Sequence, residues 1–245
     1  MNGWARQFWL KNLLSLFPYW FESPKGTKID CRRRYEIKMC EAFFMAEHYP
    51  MEFVRQPVRT VFDIGANMGL FTLSCLEQFG ADLRQVVAVE PSAKTFVRLQ
   101  RNIARNPPRG QTKVALLHEA VDATPGKATL TLGKAHYSHS LVFEKVHTVR
   151  GSEQVDVTTL DALKERYRVD ALDILKIDVE GAELQVLQGA KSLLGVTSTI
   201  FIEAHKRFCT RADLVRVLTP YGFVLAPWDD SHARDHGDFC FVRQR

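Results

Sequence analysis

From residue 58 onward, short apolar runs alternate with amphipathic segments along the chain. Apolar runs of this length predict strands, and apolar positions three or four residues apart predict helices. The predicted strands are 58–64, 86–90, 113–121, 129–132, 155–158, 174–178, 199–203, 223–226 and 239–242. The predicted helices are 70–79, 93–105, 160–167, 182–194 and 212–218. This order indicates an α/β fold with a mostly parallel sheet, helices on both faces and a final hairpin that adds one antiparallel strand.

The first 57 residues lie outside this alternation, so we predict a helical extension over 1–57 and one α/β domain over 58–245. Near the start, aromatic and leucine side chains recur close to helical spacing, at Trp4, Phe8, Leu13, Phe17 and Trp20. Three interpretations stay open: a helix packed on the domain, a lid over a substrate pocket, or an interfacial membrane helix.

The composition sets further limits. Apolar residues make up 46% of the chain, which is ample for a core. The net charge is +5, but 28 acidic residues are interspersed with 33 basic ones, and the only dense basic run is 32–34. Such a short run is typical of a solvated face, so we expect no nucleic-acid partner. The oligomeric state has no signal in the sequence.

The expected location follows from two absences in the sequence. No run of 18 apolar residues is present, which argues against a transmembrane helix. The 5 cysteines form no CxxC pair, which argues against a disulfide framework or a zinc site. We therefore expect a cytoplasmic protein, with peripheral membrane contact through the N-terminus left open.

The first predicted strand runs into a glycine turn in the segment VFDIGANMG. Gly65 and Gly69 allow a tight turn and close approach to a ligand, and the following helix offers unpaired N–H groups. The spacing D-x-G-x-N-x-G differs from the G-x-G-x-x-G of dinucleotide enzymes, which disfavours a nicotinamide-dependent oxidoreductase. Asp63 suits a ligand ammonium group, such as that of S-adenosylmethionine.

Parallel sheets bind ligands at the carboxyl ends of their strands, so the residues that follow each predicted strand are candidate site residues. Glu90 is expected to accept both ribose hydroxyls, and Asp122 is expected near adenine. Asp178, Glu203 and His205 end two further strands, and we predict that they converge as catalytic groups, with one of them as the base. Two carboxylates and an imidazole are also plausible ligands for a divalent metal, but the spacing does not demand one and none is predicted.

Six segments occur in one order: VFDIGANMG, VVAVEPS, EAVDATPG, SHSL, LKIDVEGAELQVLQGA and IFIEAH. Together they resemble the FkbM-type family of S-adenosylmethionine-dependent methyltransferases. The resemblance implies a class I methyltransferase, with a Rossmann-like seven-stranded sheet, and O-methylation of a sugar, a glycan or a natural product such as a polyketide. Residues implied or predicted to bind the cofactor are Asp63, Gly65, Ala66, Asn67, Gly69, Glu90, Pro91, Ala120, Asp122, Ser140 and Asp178.

Two loops are predicted to recognise the substrate. One spans 134–152 and includes His136, Tyr137, His139 and Ser140; the other spans 228–238 and is rich in charge. An alternative function is nucleic-acid methylation, but the Asn-Pro-Pro segment at 106–108 lies between the second and third strands and is better explained as a helix stop.

Overall fold

The computed structural model describes residues 19–45, 48–108, 110–133, 140–142, 149–205, 208–228 and 236–244. The strands are β1 (Tyr19–Glu22), β2 (Lys28–Cys31), β3 (Thr60–Ile64), β4 (Gln85–Val89), β5 (Lys113–Leu117), β6 (Ala120–Val121), β7 (Gly126–Gly133), β8 (Val149–Thr158), β9 (Leu172–Ile177), β10 (Thr197–Ala204), β11 (Phe223–Leu225) and β12 (Gly237–Arg243). The α-helices are α1 (Arg34–Met45), α2 (Leu70–Phe79), α3 (Ala93–Arg105), α4 (Leu160–Arg166), α5 (Glu183–Gln188), α6 (Lys191–Leu194) and α7 (Arg211–Leu218). Two 3-10 turns complete them, at Met51–Phe53 and Thr219–Tyr221.

The main sheet has seven strands in the order β11-β12-β10-β9-β3-β4-β5. Only β12 runs antiparallel to its neighbours in this sheet, pairing with β10 and β11. The predicted mostly parallel sheet with one antiparallel strand is confirmed. Because β3, β9 and β10 are parallel neighbours, their carboxyl ends meet at one edge of the sheet.

Alternation along the strands divides the core between the two faces of the sheet. Ile174 packs on the face that carries α2, α3 and the N-terminal segment, whereas Leu175 and Ile177 pack on the face that carries α4 to α7. Both faces are therefore covered by helices, as expected for a parallel sheet. This alternation also places Lys176 on the same face as Ile174.

The predicted strand over 113–121 is in fact two strands. β5 pairs with β4 as far as Leu117, while β6 pairs with β8 in a separate sheet of 3 strands ordered β6-β8-β7. The chain leaves the main sheet at His118 and Glu119, where neither residue is fully buried. The predicted strands 129–132 and 155–158 are longer than expected and form an antiparallel pair in this second sheet.

The predicted helix over 182–194 is interrupted at Gly189. A Cβ at this position would lie 2.6 Å from the carbonyl oxygen of Asp122, so only glycine allows the close approach. A new helix, α6, then begins where the Asp161 carboxylate accepts hydrogen bonds from the backbone N–H groups of Ser192 and Leu193 at 2.9 and 2.8 Å.

The described part of residues 1–57 contains the β1–β2 hairpin, α1 and a 3-10 turn. Trp20 lies in β1 rather than in the predicted helix, and the rest of that aromatic pattern lies outside the described residues. Phe21, Tyr49 and Val54 are buried in the same core as α2 and α3. Among the helices that the structure describes, none has both the length and the apolar composition to span a bilayer.

Candidate active site

The glycine turn after β3 lies directly against the end of β9. Gly65 has a φ of +76°, and a Cβ there would lie 1.7 Å from the carbonyl oxygen of Asp178. The backbone N–H of Asp178 donates to the carbonyl oxygen of Ile64 at 3.0 Å, which joins the two strand ends. Glycine is therefore required at residue 65 both for the turn and for the contact.

Glu90 fixes the neighbouring turn through two backbone hydrogen bonds. Its carboxylate accepts from the N–H groups of Asn67 and Ser92, each at 2.9 Å. Asn67 itself has a φ of +51°, which Asn tolerates better than most residues. Burial raises the pKa of Glu90 to about 7, despite the two amides and the charge of Lys176.

An open cleft of about 620 Å³ lies at the ends of β3, β4, β6 and β9. Of the residues predicted to bind a cofactor, those that line it are Gly65, Asn67, Glu90, Pro91, Ala120, Ser140 and Asp178. Ser140 also donates a hydrogen bond to the carbonyl oxygen of Glu180 at 2.6 Å. Most of the predicted cofactor residues thus surround one cavity, although their distance along the chain is large.

Four predicted cofactor residues do not line this cleft. Asp63 is fully buried and accepts a hydrogen bond from the Thr72 hydroxyl at 2.6 Å. A Cβ on Gly69 would lie 2.7 Å from the Leu99 side chain, so that glycine allows α2 to pack on α3. The other two are Ala66, which lines a second cavity, and Asp122, whose carboxylate accepts from the N–H of Ala123 at 2.7 Å.

The position of Asp122 follows from the break between β5 and β6. β6 joins the second sheet, and Glu119, Ala120 and Val121 line the cleft, whereas Asp122 does not. No pattern in the sequence singles out Glu119 as a site residue.

Lys176 is a buried cation at the centre of the strand ends. Its ammonium group donates to the carbonyl oxygen of Gly65 at 2.7 Å and lies 3.4 Å from Asp63 and 3.5 Å from Asp178. Burial alone would lower the pKa of Lys176, but the two carboxylates outweigh burial and raise it. Lys176 therefore stays charged, as expected of a residue that orients neighbouring carboxylates.

The structure brings Asp178, Glu203 and His205 together as predicted. One ligand atom from each lies within 4.8 Å of the other two. The three residues follow or end the adjacent parallel strands β9 and β10. Burial and the nearby Asp178 raise the pKa of Glu203 to about 8.

His205 is surrounded by carboxylates. Its Nδ1 lies 2.7 Å from Glu183, and its Nε2 lies 3.2 Å from Glu180 and 3.5 Å from Glu203. Burial would lower the pKa of His205, but these neighbours raise it to about 10. The imidazole is therefore protonated at neutral pH, and it acts as a cation that holds the carboxylates in place.

Glu183 is a site residue that the sequence analysis missed. Its side chain is fully buried, and one carboxylate oxygen contacts both the Gly181 N–H at 2.8 Å and His205 Nδ1 at 2.7 Å. Glu183 lies five residues after Asp178 in the segment DVEGAE, so an acidic residue in the first turn of the helix was the available signal.

A second cavity, of about 730 Å³, lies on the other side of the glycine turn. It shares Gly65, Asn67, Asp178 and Glu180 with the first cleft. The further residues that line it are Met39, Phe43, His48, Tyr49, Ala66, Met68, Leu70, Phe71, Lys176, Glu203 and Asp238. Asp178 thus stands where the two cavities meet.

The donor set of Asp178, Glu203 and His205 suits a divalent cation by residue type. However, both ring nitrogens of His205 already face carboxylates, which favours a protonated imidazole over a metal ligand. Of the two predicted substrate loops, residues 134–139, 143–148 and 229–235 lie outside the described part of the chain, and with them His136, Tyr137, His139 and His232.

Comparison with known proteins places this site in a family context. Residues 63–226 match the family model described as "Methyltransferase FkbM domain". Methyltransferase 1 of Beauveria bassiana is 30% identical over 148 residues, which cover 53% of this chain and 57% of that protein. The hexuronic acid methyltransferase AglP of Haloferax volcanii is 28% identical over 147 residues, which cover 59% of this chain and 55% of that protein. The chain therefore spans little more than half the length of either relative.

Among solved structures, the methyltransferase FkbM of Methylobacillus flagellatus superimposes with a TM-score of 0.52 at 15% identity. The match covers 86% of this chain and 55% of that one. At this level of identity the likeness supports the fold, a class I methyltransferase Rossmann-like sheet.

Proposed function

This chain belongs to the FkbM methyltransferase family, and we propose that it transfers a methyl group from S-adenosylmethionine to a hydroxyl of a sugar, a glycan or a natural product. The observation that carries the proposal is the position of Asp178 at the junction of two cavities. A cofactor in the first and an acceptor in the second would meet at this residue. Methyl transfer needs the acceptor oxygen, the methyl carbon and the sulfur in line, so two cavities that meet at one point suit it.

The residues of the first cleft fit the cofactor. The Glu90 carboxylate is held by two backbone amides at the cleft wall and can accept hydrogen bonds from ribose hydroxyls. Gly65 leaves room for the ligand to approach the backbone, and Leu130 and Leu141 provide apolar surface for a base. Bound there, S-adenosylmethionine supplies a methyl group on a positively charged sulfur, which is already activated for displacement.

The acceptor hydroxyl must lose its proton as its oxygen forms the new bond. Glu203 lines the second cavity, and its pKa of about 8 suits a general base near neutral pH. Asp178 would orient the hydroxyl, and His205, protonated and held by Glu180 and Glu183, would position Glu203. Of the three residues predicted to be catalytic, we thus assign the base to Glu203 and an orienting or positioning role to the other two.

Two experiments test this proposal. The first is a labelled-methyl transfer screen with hydroxylated metabolites and glycans, run with the native chain and with Asp178→Ala. Loss of transfer in a variant that still binds S-adenosylhomocysteine is expected, and near-normal turnover would contradict the role of Asp178. The second is calorimetry with S-adenosylhomocysteine and with NADH. Binding of NADH alone would contradict the cofactor assignment.

A further inference from the structure

One wall of the second cavity is strongly acidic. Four carboxylate residues line it: Asp178, Glu180, Glu203 and Asp238. The basic side chains that line the described part of this wall are already next to carboxylates. Lys176 contacts Asp63 and Asp178, and His48 lies 3.9 Å from Asp238. Among the described residues that line the second cavity, carboxyl groups therefore outnumber basic side chains.

Two of these acidic residues lie directly opposite each other on adjacent strands. Glu203 in β10 and Asp238 in β12 are Cα partners in the antiparallel register. Like charges at directly opposite positions destabilise a sheet, and here Asp238 contributes to the raised pKa of Glu203. Two acidic side chains at directly opposite positions that also line a cavity indicate a binding site for hydrogen-bond donors, because folded proteins break such local rules chiefly at functional sites.

The aromatic wall of the same cavity belongs largely to the N-terminal segment, and His48 contacts both walls. Tyr49 is buried, with its ring centroid 5.2 Å from that of Phe71 and 5.8 Å from that of Phe43. His48 packs on Phe43 with ring centroids 4.7 Å apart. These contacts fix an apolar surface that suits the C–H face of a sugar or of another alicyclic ring.

The two walls together restrict the chemistry of an occupant. Ionised carboxylates accept hydrogen bonds and cannot donate them, so an occupant must supply donors. Hydroxyl and ammonium groups are donors, whereas an ionised carboxylate or phosphate is not. An anion here would also meet like charges at short range in a partly buried site, which is a strong means of rejecting a ligand.

We propose that the second cavity selects an acceptor ring whose groups next to the methylated hydroxyl are neutral or cationic hydrogen-bond donors, and that it rejects acceptors with a carboxylate or phosphate there. This inference rests on the proposed methyl transfer and specifies its substrate class. A neutral hexose or an amino sugar fits this description, and a hexuronic acid does not.

The test uses acceptors in matched triplets that differ in one group beside the hydroxyl: hydroxymethyl, ammonium or carboxylate. Labelled-methyl transfer is measured for each member with the full chain. We expect the carboxylate member to be methylated at least about tenfold more slowly than the other two, given the size of like-charge penalties. Equal or faster transfer to the carboxylate member would overturn the inference and leave the proposed function intact. No transfer to any triplet, with S-adenosylhomocysteine still bound, would instead overturn the proposed function.

Two variants test whether the acidic wall causes the selectivity. Asp238→Asn keeps the volume of the side chain and removes one charge, so the ratio of neutral to carboxylate transfer should fall by about threefold or more. The control is Asp156→Asn, which removes an exposed carboxylate on β8 that pairs with Lys127. An unchanged ratio in Asp238→Asn, or an equal fall in both variants, would count against the acidic wall as the cause.

Discussion

The carbonyl oxygen of Asp178 lies so close to Gly65 that a Cβ on any other residue at position 65 would be only 1.7 Å from it. We expect Gly65→Ala to lower the free energy of unfolding by at least about 3 kcal/mol, because a backbone clash adds to the strain of a positive φ. Binding of S-adenosylhomocysteine should be lost as the turn moves. Urea denaturation and calorimetry measure the two effects.

A matched glycine provides the control for this substitution. Gly110 has a φ of +78°, and no atom of the described residues lies within 4 Å of a Cβ there. Gly110→Ala should therefore cost only about 1 kcal/mol, the cost of the backbone conformation. Equal losses in the two variants would show that the contact with Asp178 is unimportant.

The raised pKa of Glu90 predicts pH-dependent cofactor binding. Below its pKa of about 7 the carboxyl group is protonated, and it loses its capacity to accept hydrogen bonds from both ribose hydroxyls. The affinity for S-adenosylhomocysteine should fall by up to about tenfold per pH unit as the pH drops below 7. Calorimetry from pH 5.5 to 8.5 measures this slope, and Glu90→Gln should bind weakly with a flat profile. The same slope in Glu90→Gln would assign the titration to another group.

Glu203 as the base predicts that transfer accelerates as the pH rises through about 8, because only the ionised carboxylate accepts a proton. Glu203→Gln should reduce the rate by at least about a hundredfold without changing cofactor affinity. The pH dependence of kcat checks both statements. A rate that falls above pH 8 would contradict this assignment.

Glu183 is expected to act through His205. Glu183→Gln removes a carboxylate 2.7 Å from Nδ1, so the pKa of His205 should fall from about 10 toward its ordinary value. Once His205 loses its charge, Glu203 loses a cationic neighbour, and the midpoint of the rate profile should move above pH 8. A lower rate with an unchanged midpoint would indicate that Glu183 has only a structural role.

The buried ion pair between Glu36 and Arg98 joins the N-terminal segment to α3. The guanidinium group donates to both carboxylate oxygens, at 3.1 and 2.8 Å, and both side chains are almost fully buried. Arg98→Met should cost about 3–5 kcal/mol, since it leaves a buried unpaired carboxylate. Glu36→Leu combined with Arg98→Met should recover most of that loss.

Removal of the ion pair is also predicted to weaken binding of the acceptor. Because α1 carries Met39 and Phe43 of the second cavity, the double variant should raise KM for the acceptor and leave S-adenosylhomocysteine affinity unchanged. Steady-state kinetics with an acceptor identified in the transfer screen measure the change in KM, which is compared with the change in S-adenosylhomocysteine affinity. Equal losses in both affinities would indicate a general loss of structure.

Transfer is expected to need no divalent cation, because both ring nitrogens of His205 are engaged by carboxylates. Activity should be unchanged after dialysis against excess EDTA. Loss of activity that Mg²⁺ restores would identify Asp178, Glu203 and His205 as a metal site instead.

From residue 58 onward, the sequence alone determined the alternation of strands and helices, the turn at Gly65 and the strand-end positions of Glu90, Asp178, Glu203 and His205. These features depend on local patterns: the period of apolar residues, glycines at a turn and the rule that parallel strands present their carboxyl ends at one edge. The convergence of Asp178, Glu203 and His205 followed from that rule.

Tertiary structure alone decided which groups these residues contact. Glu183 meets His205 across 22 positions, Asp238 stands opposite Glu203 across 35, and Tyr49 of the N-terminal segment forms a wall of the second cavity. The chain leaves the main sheet after β5, β6 pairs with β8, and Asp122 after β6 does not line the first cleft. Contacts between distant residues depend on how helices and sheets pack, and the local periodicity of a sequence does not encode that packing.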